Sequence, residues 1–207
     1  MSSISCLVEN GQPIALDSSV IVNLNATGFA DRIIGALVGD VVVVSHVFRE
    51  LERGEQNGYS DAAGLRALVA DGSVLRMPLP SDANRTFLEL VAGSAADTLG
   101  DGEAATIAYA SVSGAWVAID ERKARKICAT RFNDVRVVST VDILAYPSVV
   151  KTFTTKELSD AIFNALEVAR MQVQPHHFNW IVRQVGAERL PRCNSLPRKI
   201  REGQVAE

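Results

Sequence analysis

Apolar residues along this chain fall into short continuous runs separated by longer stretches with helical spacing. Residues 13–17 (PIALD), 41–44 (VVVV), 116–120 (WVAID) and 135–139 (VRVVS) each read as a strand. A β-branched run such as VVVV fits a strand covered on both faces, most readily in a parallel sheet. SVLRMPL, 73–79, reads as a further strand or an extended segment. Between the runs the spacing turns helical. VIVNLNATG is capped by Ser18 or Ser19 and stops near Gly28, and a helical stretch covers 30–38. Ser45 opens VFRELERG, whose apolar stripe is Val47, Phe48 and Leu51 and which Gly54 ends. Helices follow at 61–70 and 81–93, and at 101–114 with Asp101 as N-cap. The helix at 121–131 turns Ala124, Ile127 and Cys128 inward, and VDILAYPSVV forms a short helix. Strands alternating with helices predict an α/β fold: a central parallel sheet of four or five strands with helices on both faces.

After about residue 150 the strand signal ends. TTKELSDAIFNALEVARM is an amphipathic helix capped by Thr154 or Thr155, with Leu158, Ile162, Leu166 and Ala169 along one face. PHHFNWIVRQVG is a second helix, with Pro175 in its first turn. The expected organisation is a domain at 13–150, a helical extension at 151–187 packed on it, and a flexible polar tail at 188–207.

Composition narrows the class little. The 207 residues are 47% hydrophobic and 22% charged, a globular balance, and a net charge of −3 neither indicates nor excludes a nucleic-acid partner. Cys6, Cys128 and Cys193 are widely spaced with no CxxC, so neither a disulfide framework nor a zinc site follows and a reducing cytoplasm is the simpler setting. MSSISCLVENGQ lacks the basic start and long apolar run of a signal peptide, and no apolar run reaches membrane-spanning length.

The candidate chemistry lies in four acids. Asp17 and Asp120 end strands, Glu50 lies one and a half turns into its helix, and Glu103 sits in the first turn of its own. Ligands of open parallel sheets bind beyond the carboxyl edge, so these side chains can converge there. Grouped carboxylates repel, and the usual reason to keep them together is a hard divalent cation such as Mg²⁺ or Mn²⁺, which serves phosphodiester chemistry. Each acid also has a plain structural reading: Asp17 as a helix cap, Glu103 as a complement to a helix dipole, Glu50 as a solvated residue. Their joint order and spacing favours the metal site.

The motifs ALDSSVI, VFRELERG, LGDGEAATIAYA and AIDERKARKICAT, in this order, resemble the PIN domain. They look most like VapC-type ribonuclease toxins of the subgroup with a Gly-Glu-Ala third motif. The resemblance covers roughly 13–150, and the two following helices are similar to the C-terminal helices of that subgroup. It implies a PIN-like three-layer fold and metal ligation by Asp17, Glu50, Glu103 and Asp120. It also implies that Ser19 supports the first acid or the metal-bound water. The third acid is Asp in many PIN domains, so either Glu103 or Asp101 serves here, and Glu121 beside Asp120 is a further candidate ligand. The implied activity is hydrolysis of RNA by a Mg²⁺- or Mn²⁺-activated water. A toxin also implies a cognate antitoxin, and homodimers are common in the family, for which the apolar faces around 20–38 offer a surface.

Arg122, Arg125 and Lys126 follow Asp120 as candidate RNA contacts, Arg125 either meeting phosphate or bracing the acids; the plain reading is a solvated helix face. The tail arginines read as solubilising. His46 is four residues before Glu50 and reads as a capping or packing residue, and His176 and His177 are not expected to be ligands. Trp116, Trp180 and Cys128 read as core. Three rivals remain. An Asp-nucleophile phosphatase wants Asp-x-Asp after the first strand, but position 19 is Ser. A PIN-like binding module without turnover has no need of all four acids. A PIN-related enzyme of DNA or RNA processing is not separable from a toxin on these residues.

Overall fold

A run of apolar residues with no polar alternation has to be buried on both faces, and the strands here obey that rule. The computed structural model describes residues 5–7, 11–94 and 97–203. In chain order the elements begin with β1 (Ile14–Leu16), α1 (Ser18–Thr27), α2 (Ala30–Gly35), β2 (Val41–Val44), α3 (Ser45–Glu55) and α4 (Asp61–Ala70). There follow β3 (Leu75–Met77), α5 (Asn84–Val91), α6 (Asp101–Ser113), β4 (Trp116–Ala118), α7 (Arg122–Arg131) and β5 (Val137–Val138). The last elements are α8 (Thr140–Leu144), α9 (Pro147–Lys151), α10 (Thr155–Glu167), α11 (Phe178–Val185) and α12 (Arg198–Arg201). The chain divides into two compact units, one of residues 9–21 and 38–138, the other of residues 1–8, 22–37 and 139–207.

The first unit holds a five-stranded, wholly parallel sheet in the order β3-β2-β1-β4-β5, flanked by helices. Every residue of β1, β2 and β4 is buried. β3, the extended segment of the sequence reading, is an edge strand, and its exposed Leu75 and Arg76 explain its faint apolar signal. From β1 the chain moves outward to β2 and β3, then returns to lay β4 and β5 on the other side of β1. That reversal makes the β1/β4 boundary a topological switch point, where the carboxyl edge opens a crevice. α6 packs on β1, β2 and β4. Its buried Ala104, Ala105, Ala108 and Ala110 leave room for a close approach to the sheet. Cys128 joins the same core, and burial pushes its thiol up to about 11.

The second unit is helical. α10 buries Leu158, Ala161, Ile162, Ala165 and Leu166 and packs on α11, which buries Trp180, Ile181 and Val185. Thr154 is the cap of α10: its hydroxyl accepts from the Glu157 N–H at 3.2 Å, and the Glu157 carboxylate accepts from the Thr154 N–H at 2.8 Å. The same carboxylate pairs with Arg32 of α2 at 2.9 Å, and Arg32 lies 4.2 Å from the centre of the Phe153 ring.

Two expectations need correction. The polar stretch 188–207 is not a flexible tail over its described length. Residues 190–192 form a 3₁₀ turn and α12 a further turn, with Leu190, Cys193, Leu196 and Ile200 buried; residues 204–207 lie outside the described residues. Much of the apolar face around 20–38 is likewise closed, because Val20, Ile21, Leu24, Ile33 and Ile34 are buried within the chain, while Val38 is exposed. Among the described residues no helix is long and apolar enough to cross a membrane.

Asp142 ties the helical unit together. Its Oδ2 accepts from the Ser139 N–H at 2.8 Å and the Ser139 hydroxyl at 2.6 Å. Its Oδ1 accepts from the Cys6 N–H at 3.0 Å and faces the His177 Nε2 at 3.4 Å. Burial alone would raise this carboxyl, but the hydrogen bonds from His177, Ser139 and Cys6 outweigh it and hold the pKa well below the ordinary 3.8. The folded state therefore favours the ionised form. That stability is present above pH about 4 and lost as pH falls further. Asp142→Ala is expected to cost on the order of 3 kcal/mol at neutral pH, with the difference from wild type shrinking in acid. Urea unfolding at pH 7 and pH 3 checks both.

Candidate metal centre

Asp17 and Asp120 straddle the switch point. β1 pairs with β4 so that Leu16 lies opposite Ala118, and the Asp17 N–H continues the ladder to the Ala118 carbonyl at 3.1 Å. Both carboxylates are buried, each at 1% exposure. Asp17 also begins α1. Its Oδ2 accepts from the Ser19 N–H at 3.3 Å and the Ser19 hydroxyl at 2.9 Å, and its carbonyl accepts from the Ile21 N–H at 3.2 Å. The cap of α1 is thus Asp17 itself rather than Ser18 or Ser19.

Glu50 reaches the same place from α3. The Ser18 hydroxyl lies 3.4 Å from the Asp17 Oδ1 and 3.2 Å from the Glu50 Oε2, between the two carboxylates. α6 completes the group. Its N-cap is Gly100, one residue before the Asp101 expected, and the Glu103 Oε2 accepts from the Gly100 N–H at 3.2 Å. Glu103 also hydrogen-bonds the side chain of Glu121 and feels the charge of Asp17. Asp101 is exposed at the margin, where its charge acts on Glu50. Gly102 lies in the middle. A Cβ there would overlap the Glu50 carboxylate and stand 3.5 Å from the Asp17 Oδ1.

The electrostatics record the crowding. Burial raises the Asp17 pKa despite the Ser19 and Ser18 hydrogen bonds. Burial, then the charge of Asp17, raises Glu50. Glu103 is pushed up to about 9, by burial first, then by the hydrogen bond to Glu121 and the charges of Asp17 and Glu121. Among the described residues, no Lys or Arg ion pair includes Asp17, Glu50 or Glu103. A group of oxygen donors with no Lys or Arg ion pair among the described residues, where Arg53 acts on Glu50 by its charge without a paired contact, suits a hard divalent cation.

The basic cluster of α7 follows Asp120. The Arg125 Nη1 donates to the carbonyls of Ile119 and Val138, each at 2.9 Å, so it clamps the ends of β4 and β5. The Lys123 ammonium bonds the Thr98 carbonyl, while Arg122 and Lys126 are exposed. Residues that sequence reasoning passed over, Arg49, Arg53 and Phe87, line a cleft of about 430 Å³ beside Glu50, together with His46 and Asp101. The spacing of Arg49 and Arg53 around Glu50 was the available signal. A second cluster, Asp142, His176 and His177, places one ligand atom from each residue within 4.8 Å of the others. Asp142 there is already engaged by Ser139 and Cys6, as a structural group would be.

A glutamate with a raised pKa binds more protons folded than unfolded, so stability falls as pH rises from about 5 to 9. Without a divalent cation the Tm is expected to fall over that range, and Mn²⁺ should raise it and flatten the slope; melts in EDTA and in Mn²⁺ check this. Gly102→Ala is expected to leave the Tm unchanged or higher, because Ala favours a helix by about 1 kcal/mol, while displacing Glu50 and weakening Mn²⁺ binding. Calorimetric titration with Mn²⁺ reads that loss.

A family model described as PIN domain matches residues 13–187. No curated protein matches the chain significantly. PIN domains are typically nucleases, act on nucleic acid and generally use divalent metals. With 13–187 matched and a five-stranded parallel sheet carrying acids at its carboxyl edge, this chain belongs to the PIN-domain family.

Proposed function

We propose that this protein is a metal-dependent endoribonuclease, with Asp17, Glu50, Glu103 and Asp120 as its acidic residues. The observation that carries the reading is the convergence of Asp17, Glu50 and Glu103 around Gly102, with no Lys or Arg ion pair to them among the described residues. One or two Mg²⁺ or Mn²⁺ ions held by the four acids would supply an activated water and offset charge on the phosphate. Ser19 fixes one oxygen of Asp17, leaving the other to face Glu50. Glu50 extends from an exposed helix face and adjusts to the substrate, whereas Asp17 and Asp120 are rigid ends of neighbouring strands. Glu103 and Glu121 share a hydrogen bond, and Glu121 serves as an outer acid of the group. Hydrolysis breaks the phosphodiester by direct attack of water, and no covalent enzyme intermediate is needed.

The resemblance of the motifs to VapC-type proteins supports a toxin role. Under it, the antitoxin would place a cationic side chain against the acids. Growth arrest on expression, relieved by a neighbouring gene product, tests that role.

The nuclease reading is tested by incubating purified protein with a mixed RNA pool in Mg²⁺ or Mn²⁺. Asp17→Asn keeps the helix cap, since Asn caps as well as Asp, and should lower cleavage more than about a hundredfold, as should Asp120→Asn. EDTA should abolish cleavage. Cleavage that survives EDTA or either substitution overturns the assignment, and cleavage of DNA in place of RNA moves the substrate.

A further inference from the structure

The cleft beside the acids has features that metal binding does not use. His46, Arg49, Glu50 and Arg53 are three or four residues apart along α3, on the face away from buried Val47, Phe48 and Leu51. They line the 430 Å³ cleft with Phe87 of α5 and Asp101 of α6. That volume lies in the range of about 300–1,000 Å³ typical of small-ligand sites and suits a ligand the size of one nucleotide. Glu50 belongs both to the cleft and to the acidic group, so the cleft opens directly off the proposed centre.

The arginines are placed for a ligand. Arg49 and Arg53 are exposed, and among the described residues neither guanidinium makes an ion pair or hydrogen bond. Neighbouring arginines are engaged: Arg66 with Glu55, Arg85 with Glu89, and Arg76 over the Phe48 ring. A pair of unengaged guanidinia four residues apart on a helix presents a fork for an anion, and phosphate is the anion such groups fit best. Phe87 adds a half-buried aromatic surface, with the His46 ring centre 4.8 Å from its own. An aromatic ring beside two arginines takes an unpaired base, which selects a single strand over a duplex. The exposed Asp101 carboxylate repels phosphate but accepts from a hydroxyl, and the ribose 2′-OH is the hydroxyl that separates RNA from DNA.

We propose that this cleft is a nucleotide subsite for single-stranded RNA: Arg49 and Arg53 hold a backbone phosphate flanking the scissile one, an unpaired base stacks on Phe87, and Asp101 accepts from a ribose hydroxyl. The proposal rests on the nuclease reading for its role but not for its measurement. The probe is a fluorescently labelled ten-residue oligoadenylate RNA, bound to the full chain in EDTA so that binding is read without cleavage.

In fluorescence anisotropy across KCl concentrations, the Arg49→Ala/Arg53→Ala double variant should flatten the plot of log affinity against log salt by about 0.7, the contribution of one neutralised phosphate on a single strand. Phe87→Leu keeps an apolar side chain but removes the ring, and should weaken binding about tenfold at every salt concentration; Phe87→Trp should restore it. The matching DNA strand should bind more weakly than RNA to wild type, and the difference should vanish in Asp101→Ala, which removes the acceptor. An unchanged salt slope, or unchanged affinity in Phe87→Leu, overturns the subsite. Equal binding of RNA and DNA by wild type overturns its assignment to RNA. Failure of the nuclease reading is distinguishable: a wild type that cuts no RNA, yet binds it through Arg49, Arg53 and Phe87, loses the activity and keeps the subsite. Cleavage with binding indifferent to these residues sinks the subsite alone.

Discussion

The pairing of β1 with β4 joins two three-residue strands about a hundred positions apart in the chain. Everything at the candidate centre depends on that contact. It sets the end of one strand beside the end of another, so Asp17 and Asp120 arrive at the sheet edge together. It also creates the reversal of strand order from which a crevice follows. The Arg125 guanidinium fastens the neighbouring β4/β5 boundary by holding the carbonyls of Ile119 and Val138, one on each side of it. A cation that stands after an acid in sequence is here the fastener of the strand that carries the acid.

Onto this edge the helices bring further carboxylates, of which Glu103 also caps the start of its own helix. Glu50 and Glu103 come from α3 and α6, and both are driven toward the protonated state by burial and by Asp17. A stabilising network would have placed a cation among them, as Arg32 stands against Glu157 in the helical unit. Asp142 differs in kind. That carboxylate is more deeply buried than Glu50 or Glu103, at 1% exposure, but hydrogen-bond donors hold it ionised, and it behaves as a structural part. Two kinds of acid thus coexist: one whose ionised form the surrounding donors favour, the other driven by burial and neighbouring charge toward the proton.

Much of this was legible in the chain. The strands that become β1, β2 and β4 are apolar without interruption because both faces are covered, so their ends, and the acids there, could be read directly. β3 was blurred because an edge strand tolerates Leu75 and Arg76 in solvent. The C-terminal stretch misled because Leu190, Cys193, Leu196 and Ile200 are scattered among prolines and charges, and only tertiary burial shows them to be one apolar set. Arg125 was misread for a different reason. Its partners are backbone carbonyls, which leave no trace in residue identity. The cleft needed Phe87 and Asp101, on α5 and α6, to meet the arginines of α3, a meeting that no local pattern announces.

Asp17 has two employments, since it caps α1 and faces the other acids with the same side chain. Its amide analogue would keep the first and forfeit the second, because an Asn oxygen caps a helix as well as an Asp oxygen does. An aspartate codon becomes an asparagine codon by a change of one base. The genetic distance between a working centre and an intact but inert scaffold is therefore a single transition, with no folding penalty to oppose it. A lineage built on this arrangement can give rise to altered copies readily, and such copies would retain the sheet, the helices and the cleft with its two arginines.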